Sequence, residues 1–344
     1  MSPDLSLKLQ PYNPPLRWLI TGGCGFIGTS LIKQLVEEGG HAIRVIDNLS
    51  VGTREDLARV SAFKEIPPAK LIAHRSLLSP TINSVELIVG DILDEELALK
   101  VTKDIDVIVH LAANTGVAPS VKDPRKDCVT NVIGTLNYLE GARRNGVKRF
   151  VFASSGAPLG EQEPPLHEEM APHPVSPYGA SKLAGEGYCS AYYRTFGVET
   201  VVLRFGNVYG PGSGHKNSVV AKFIKQALAG ETLEIYGDGT QTRDFIYIDD
   251  QVRAIRLAAT KDGVGGEIFQ IATNQETTVQ EMLEVLLQVM KEAGIPEPKV
   301  IHGEKRQGDV MRNYSDTSKA RDKLGWCAGM KLGDGLRKTL KYFL

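Results

Sequence analysis

Residues 21–30 read TGGCGFIGTS, and the fold turns on where that stretch sits. It ends a short apolar run, RWLITGG (17–23), which reads as a buried strand. It opens Phe26–Glu38, where Ile27, Leu31, Leu35 and Val36 recur at helical spacing until Gly39–Gly40 stops them. Gly22, Gly25 and Gly28 are spaced GxxGxxG. A glycine trio alone is often a structural turn. Between a strand and a helix it lets the backbone and the helix N-terminus approach a pyrophosphate.

Outward from it, AIRVID (42–47) is a second strand ending in Asp47. A carboxylate there accepts from adenosine ribose hydroxyls and repels a 2′-phosphate, which favours NAD over NADP. VELIVGD (85–91), DVIVHLAA (106–113), KRFVFASS (148–155) and ETVVLRFGNVYGP (199–211) are further apolar runs, separated by helix-like segments. Strands alternating with helices predict a Rossmann-type, doubly wound parallel sheet in an α/β fold. The stretch 51–84 predicts a short helix near 53–60 and an irregular insertion, in which KLIAHRSLL is either a short helix over the cofactor or a surface elaboration. From about 211 the apolar runs shorten and Gly, Pro and charge become denser. The expected organisation is an N-terminal tail (1–16), a cofactor domain (17–210) with chain returning near 245–270, and a smaller C-terminal α/β substrate domain (211–344).

Strand ends carry the ligands of such a sheet. Asp91 is placed to accept from the adenine amino group, and Ala112 and Ala113 leave room for the cofactor. Lys plus Arg (40) nearly balance Asp plus Glu (41), so no positive field is available for nucleic acid or an anionic membrane. Cys24, Cys128, Cys189 and Cys327 form no CxxC or Cys/His cluster, which predicts neither disulfide framework nor metal site and fits a reducing compartment. No apolar run approaches a signal peptide or a membrane span, so a cytoplasmic protein is expected.

SPYGASK (176–182) puts Tyr178 and Lys182 one helical turn apart, on one face of a helix that starts after Pro177. Alone, that is a surface pair. Beside Ser154–Ser155, at the end of the fifth predicted strand, it becomes an alcohol-oxidation site. A base must take the hydroxyl proton as hydride leaves carbon. A tyrosine near pKa 10 serves only if shifted, and Lys182 and a positive nicotinamide ring both favour phenolate. Ser155 would orient the substrate hydroxyl.

At this point the chain resembles the extended short-chain dehydrogenase/reductases, in their UDP-sugar 4-epimerase branch. The likeness spans about 17–343 and rests on TGGCGFIG, VIDNLSVGT, GDI, HLAA, NVIGTLNYLE, FASS, SPYGASK, RFGNVYGP, YGDGTQTRDFIYIDD, RQGD and DTSKARDKLGW. It implies tightly held NAD, oxidation of the sugar C4 alcohol to a transient 4-ketose, rotation of that ketose, and return of the hydride to its other face. Its motifs add Phe26, Ile27, Asn48, Ser50, Gly52, Ile92 and Leu111 to the cofactor's contacts, beside Tyr178 and Lys182. For the substrate they imply diphosphate contacts from Arg243 and Arg306, a ribose contact from Asp309 and a phosphate contact from Asn207. Tyr236 would stack beside the uracil, and Val219 would present backbone to the base.

Among close relatives of that branch, 4,6-dehydratases carry an Asp–Glu pair after the serine, where Gly156 and Ala157 stand here and do no acid–base work. Decarboxylases usually carry a Glu at the second position. The usual Val-Tyr-Gly that comes next is Pro158-Leu159-Gly160, which departs from the family beside the sugar. Asn313 holds the pocket-wall position, where a small amide leaves room for a 2-acetamido group. UDP-GlcNAc/UDP-GalNAc is therefore expected, beside UDP-Glc/UDP-Gal. A UDP-uronate, with Thr115 facing C6, another NAD-dependent nucleotide-sugar oxidoreductase or decarboxylase, and a non-catalytic NAD sensor are the alternatives. Relatives dimerise through two helices per subunit, here about 127–145 and 177–196, which implies a homodimer.

Overall fold

The computed structural model describes residues 15–71, 84–304 and 310–344. In chain order the first half holds β1 (Arg17–Thr21), α1 (Phe26–Glu38), β2 (Ala42–Asp47), α2 (Arg54–Ala58), β3 (Lys64–Glu65), β4 (Ser84–Val89), α3 (Glu95–Val101) and β5 (Val107–His110). After these come α4 (Val117–Lys122), α5 (Pro124–Cys128), α6 (Gly134–Asn145), β6 (Arg149–Ser155), α7 (Pro177–Phe196) and β7 (Glu199–Phe205). The remainder comprises β8 (Asn207–Tyr209), α8 (Val219–Leu228), β9 (Leu233–Tyr236), β10 (Thr242–Arg243), β11 (Phe245–Tyr247) and α9 (Ile248–Thr260). Last come β12 (Ile268–Ile271), β13 (Thr277–Thr278), α10 (Val279–Glu292), β14 (Val300–Gly303) and α11 (Leu332–Phe343).

Eight strands form one sheet in the order β12-β7-β6-β5-β1-β2-β4-β3, every neighbouring pair parallel. The order reverses at β1, which pairs with β2 on one side and β5 on the other. The crevice at that switch point is where ligands of open α/β sheets bind. Successive side chains of β1 divide between the faces: Trp18 and Ile20 join one core cluster, Leu19 the other. The first cluster does not end at the sheet. It runs from Trp18, Ile20 and Val45 through Phe223 and Ile224 of α8 to Leu286 of α10 and Trp326.

The doubly wound parallel sheet appears as expected, with β3 as a strand beyond the six predicted and β12 as chain that returns to the sheet from the C-terminal half. β3 lies inside the 61–84 insertion and pairs with β4, and β12 adds the opposite edge. β3 is two exposed residues with no periodic pattern to announce it. The N-terminal 1–14 and the stretch 72–83, with most of KLIAHRSLL, lie outside the described residues. The helix expected over 127–145 is interrupted by a π turn at Val129–Ile133. The extra residue in such a turn rotates α6 relative to α5 and swings one side chain inward, here Asn131. Among the described residues no helix is long and apolar enough to cross a membrane.

Candidate active site

The glycine loop is a backbone contact surface. Gly22 has φ +68°, and a Cβ there would lie 2.9 Å from the Ala112 nitrogen. Thr21 Oγ1 accepts from the Leu111 and Ala112 N–H groups at 3.1 Å each, tying the end of β1 to the end of β5. A Cβ on Gly52 would overlap the Cys24 carbonyl, so the loop after β2 lies directly on the glycine turn. No side chain caps α1, and its first internal bond is Thr29 N–H to the Gly25 carbonyl at 2.9 Å. The N–H groups of Phe26, Ile27 and Gly28 precede that bond, the arrangement that suits an anionic phosphate. The residues present therefore fit a dinucleotide.

Within the glycine trio Gly28 is the most crowded: an added Cβ would stand 2.5 Å from the Gly23 Cα and 2.6 Å from the Gly22 carbonyl. Gly28→Ala is expected to cost about 1–3 kcal/mol of stability through backbone displacement. It should also weaken NAD binding, checked by urea melts and fluorescence titration with NADH.

Asp47 and Asp91 are both engaged by groups of the protein itself. Asp47 is buried; its Oδ2 accepts from Cys24 N–H at 3.0 Å and its Oδ1 from Leu49 N–H at 2.8 Å. Burial pushes its carboxyl above the usual range, and the two N–H donors pull it back. It fastens the glycine loop first. Asp91 Oδ1 accepts from Leu93 N–H and its Oδ2 from Asn48 Nδ2, both at 2.9 Å. Asn48 Oδ1 in turn accepts from Ser50 N–H at 3.1 Å, and the Ile92 carbonyl accepts from Asn137 Nδ2 at 3.0 Å. Ala113 is half-buried at the end of β5, and Thr115 beyond it is exposed.

Ser176 caps α7 by accepting from Gly179 N–H at 3.1 Å, and Pro177 takes the first helical position. Tyr178 therefore lies in the first turn and Lys182 in the next, facing the end of β6. The Tyr178 phenol faces the Ser155 hydroxyl, which lowers its pKa and accepts from Ala157 N–H at 3.1 Å. Ser154 points to the other face and donates to Glu186 Oε1 at 2.6 Å.

Lys182 corrects one expectation. Its Nζ donates to the Ala153 carbonyl at 2.8 Å and stands 5.9 Å from the centroid of the Tyr178 ring. Burial pushes the amine down to about 8, while Asp127 and Glu186 pull it back up. The Tyr178 phenol is not depressed by this neighbour: burial raises it, the Ser155 hydrogen bond lowers it, and Asp127 raises it further. Desolvation of a phenolate outweighs an ammonium whose hydrogen bond goes to a carbonyl.

Several site residues carry no role in the sequence reading. Asn131 Oδ1 accepts from Asn114 N–H at 2.7 Å, and its Nδ2 donates to the Asn114 carbonyl and Ser181 Oγ at 3.0 Å each. Ser181 Oγ donates to Asp127 Oδ1 at 2.6 Å. His110 is buried, hydrogen-bonded to Thr21 and Thr135, and pushed down to about 3 by burial and by Lys182, hence neutral. NVIGTLNYLE holds the clue to Asn131, an amide at a helix start. Nothing in the local pattern pairs Asp127 with Ser181.

The other wall comes from the C-terminal half. Asn207 is exposed at the start of β8, and its N–H donates to the Asp244 carbonyl at 2.8 Å. Arg243, one residue earlier in chain than Asp244, donates through Nη1 to the Thr242 and Val310 carbonyls at 2.6 and 2.7 Å. Asp244 is a buried hub, accepting from the N–H groups of Thr273, Asn274 and Ser315 and from the Thr273 hydroxyl. Tyr236 ends β9 with Lys222 Nζ 4.9 Å from its ring centroid, and Val219 begins α8. The Asn313 side chain lies 4.0 Å from where a Gly156 Cβ would stand, so it does border the loop after β6. Arg306 and Asp309 lie outside the described residues.

Three solved structures share this arrangement of elements over almost the whole chain. UDP-glucose 4-epimerase from Thermotoga maritima, solved with UDP-glucose, is 36% identical with a TM-score of 0.83, covering 95% of this chain and 98% of its own. UDP-N-acetylglucosamine 4-epimerase from Methanobrevibacter ruminantium, in complex with UDP-N-acetylmuramic acid, is 30% identical with a TM-score of 0.83, covering 96% and 99%. UDP-glucuronic acid 4-epimerase from Bacillus cereus, with UDP-glucuronic acid and NAD, is 31% identical with a TM-score of 0.79, covering 95% and 98%. The family model for the NAD dependent epimerase/dehydratase family matches residues 18–272, a span that contains the glycine turn, Ser155, Tyr178 and Lys182. By that match and by the relatives' identity over its full span, the chain belongs to the NAD dependent epimerase/dehydratase family.

Proposed function

We propose that this protein epimerises a UDP-hexose at C4, with UDP-GlcNAc/UDP-GalNAc as the preferred pair and UDP-Glc/UDP-Gal beside it. One observation carries the reaction type: α7 sets Tyr178 against Ser155 at the end of β6, with Gly156 and Ala157 next in the chain where a dehydratase needs an acid and a base. Ser155 holds the C4 hydroxyl, and Tyr178 takes its proton and later returns one to the 4-keto oxygen. Lys182 holds a positive charge next to that phenol. NAD, when bound, supplies a hydride acceptor that later gives the hydride back. Arg243, Arg306, Asp309, Asn207, Val219 and Tyr236 grip the UDP, so that the ketose alone turns over.

The substrate preference rests on Asn313. Its amide borders Gly156, and its backbone N–H is held by Thr242 Oγ1 at 3.1 Å. Asn313→Tyr is expected to cut kcat/KM for UDP-GlcNAc by at least about tenfold to two-hundredfold, the range that one methylene of misfit carries, and to spare UDP-Glc. Separation of C4 epimers after incubation with UDP-hexoses, UDP-N-acetylhexosamines and UDP-uronates tests both parts. Turnover of plain hexoses alone would overturn the N-acetyl preference, and turnover of none would overturn the activity.

We assign the cofactor to residues 17–210 and the sugar nucleotide mainly to 211–344. A homodimer is favoured by the exposed apolar side chains Val129, Ile133, Tyr188, Tyr193 and Phe196 along the π turn and α7. A cytoplasmic location is in keeping with the four free cysteines.

A further inference from the structure

Beneath the proton-transfer pair lies a carboxylate that the chemistry above does not use. Asp127 is fully buried at the end of α5, among the fold's most enclosed charged side chains. Its Oδ1 accepts the 2.6 Å bond from Ser181, the residue before Lys182, and its Oδ2 accepts from Asn131 Nδ2 at 3.2 Å and Asn114 Nδ2 at 3.4 Å. The π turn makes this possible, because it turns Asn131 toward the carboxylate and α7 together. Asn131 reaches Ser181 as well, closing a ring of Asp127, Ser181 and Asn131 against the helix that carries Tyr178 and Lys182. The hydrogen-bond donors to this carboxylate are thus neutral groups, a hydroxyl and two amides.

We propose that Asp127 is a positioning residue for the proton-transfer pair: held by Ser181 and Asn131, its carboxylate sets the charge balance shared by Tyr178 and Lys182. This rests on the epimerase reading of that pair. A buried negative charge favours the ammonium and opposes the phenolate, and both directions are present: Asp127 pulls the Lys182 amine up and pushes the Tyr178 phenol up. Other groups face the pair too. Glu186 on α7 also supports the ammonium but is matched by Arg204 at 2.7 Å, and His110 from β5 is neutral. Cys189, further along α7, stays a thiol, since burial and Glu186 raise it. That leaves Asp127 as the acidic group that acts on both members of the pair.

The test is the pH profile of turnover. The catalytic form needs phenolate and ammonium together, a pairing that burial opposes until the positive charge of bound NAD lowers the phenol. In the NAD-loaded enzyme, rate therefore falls on the acid side as Tyr178 gains its proton and on the alkaline side as Lys182 loses its own. The two limbs belong to the coupled pair. Removing the Asp127 charge lowers both values, so Asp127→Asn should move both limbs to lower pH, by about half to one unit. Asp127→Ser should do the same. Ser181→Ala breaks the bond but keeps the charge, and should leave the limbs in place while kcat falls. A second readout needs no turnover: the phenol absorbance titration of the NAD-loaded chain minus that of the same chain carrying Tyr178→Phe, taken with and without Asp127→Asn. It should show the Tyr178 phenol titrating lower in the variant.

An active wild type with limbs unmoved in both Asp127 variants, and an unmoved phenol titration, would overturn the proposal. So would limbs shifted equally by Ser181→Ala, or an Asp127 that no variant can replace without unfolding, since either makes it a packing residue. An inactive wild type would instead reject the epimerase reading, and the phenol titration still decides Asp127.

Discussion

Tyr178→Phe should lose turnover by about 10³-fold or more, because the variant keeps the ring and removes the one oxygen able to carry the proton. NAD should still bind, since the glycine turn, the Thr21 tie and the Gly52 contact lie on β1, β2 and β5 rather than on α7. Epimer separation on a UDP-hexose, read against NADH fluorescence titration, checks the two halves of that expectation. Equal turnover would mean that another group is the base. The phenol of the chain without ligand is raised by burial, so its activation depends on the positive charges around it. Lys182→Met is therefore a weaker probe of the base than Tyr178→Phe, since it changes the packing against Phe152 as well as the charge.

The largest effect on stability is expected at Glu186. Glu186 and Arg204 form a two-point pair at 2.7 and 2.9 Å, with side chains only 3% and 2% exposed, and Ser154 donates into the same carboxylate. Replacing Glu186 with Leu leaves a buried guanidinium without a counter-charge, at a cost of about 3–5 kcal/mol. Arg204 Nη1 has no hydrogen-bond partner among the described residues, so the pair is imperfectly satisfied even when intact. The double variant Glu186→Leu/Arg204→Met should accordingly recover most of the loss. Urea melts of the two single variants and the double close the cycle, and a double variant as unstable as Glu186→Leu alone would count against this account.

How much of the molecule is legible in its sequence depends on which contacts are local. The GxxGxxG turn leaves Gly22 and Gly28 no room for a Cβ, and its strand and helix lie on either side of it. Tyr178 and Lys182 are one turn apart, with Ser176 and Pro177 as a cap read directly from the letters. The ring beneath them is hidden, because Asp127 and Ser181 are 54 residues apart and each alone looks like an ordinary exposed polar residue. Spacing pairs Lys182 with its helical neighbour, yet the end of β6 offers the Ala153 carbonyl, and only burial decides how far the amine and phenol are shifted. Asp244 gives no sign of itself beside Arg243, because its acceptors are answered by residues 273–274 and 315, far along the chain. The extra turn at 129–133 leaves no mark in the spacing at all.

The apolar cluster that runs unbroken from Trp18 to Trp326 ties the fates of both halves together. Heat or urea that loosens residues 211–344 also strips apolar support from one face of the sheet, so the two halves are expected to melt together. Severing it near residue 210 would not yield a free-standing cofactor module, only a sheet with one greasy face bared to water and prone to clump.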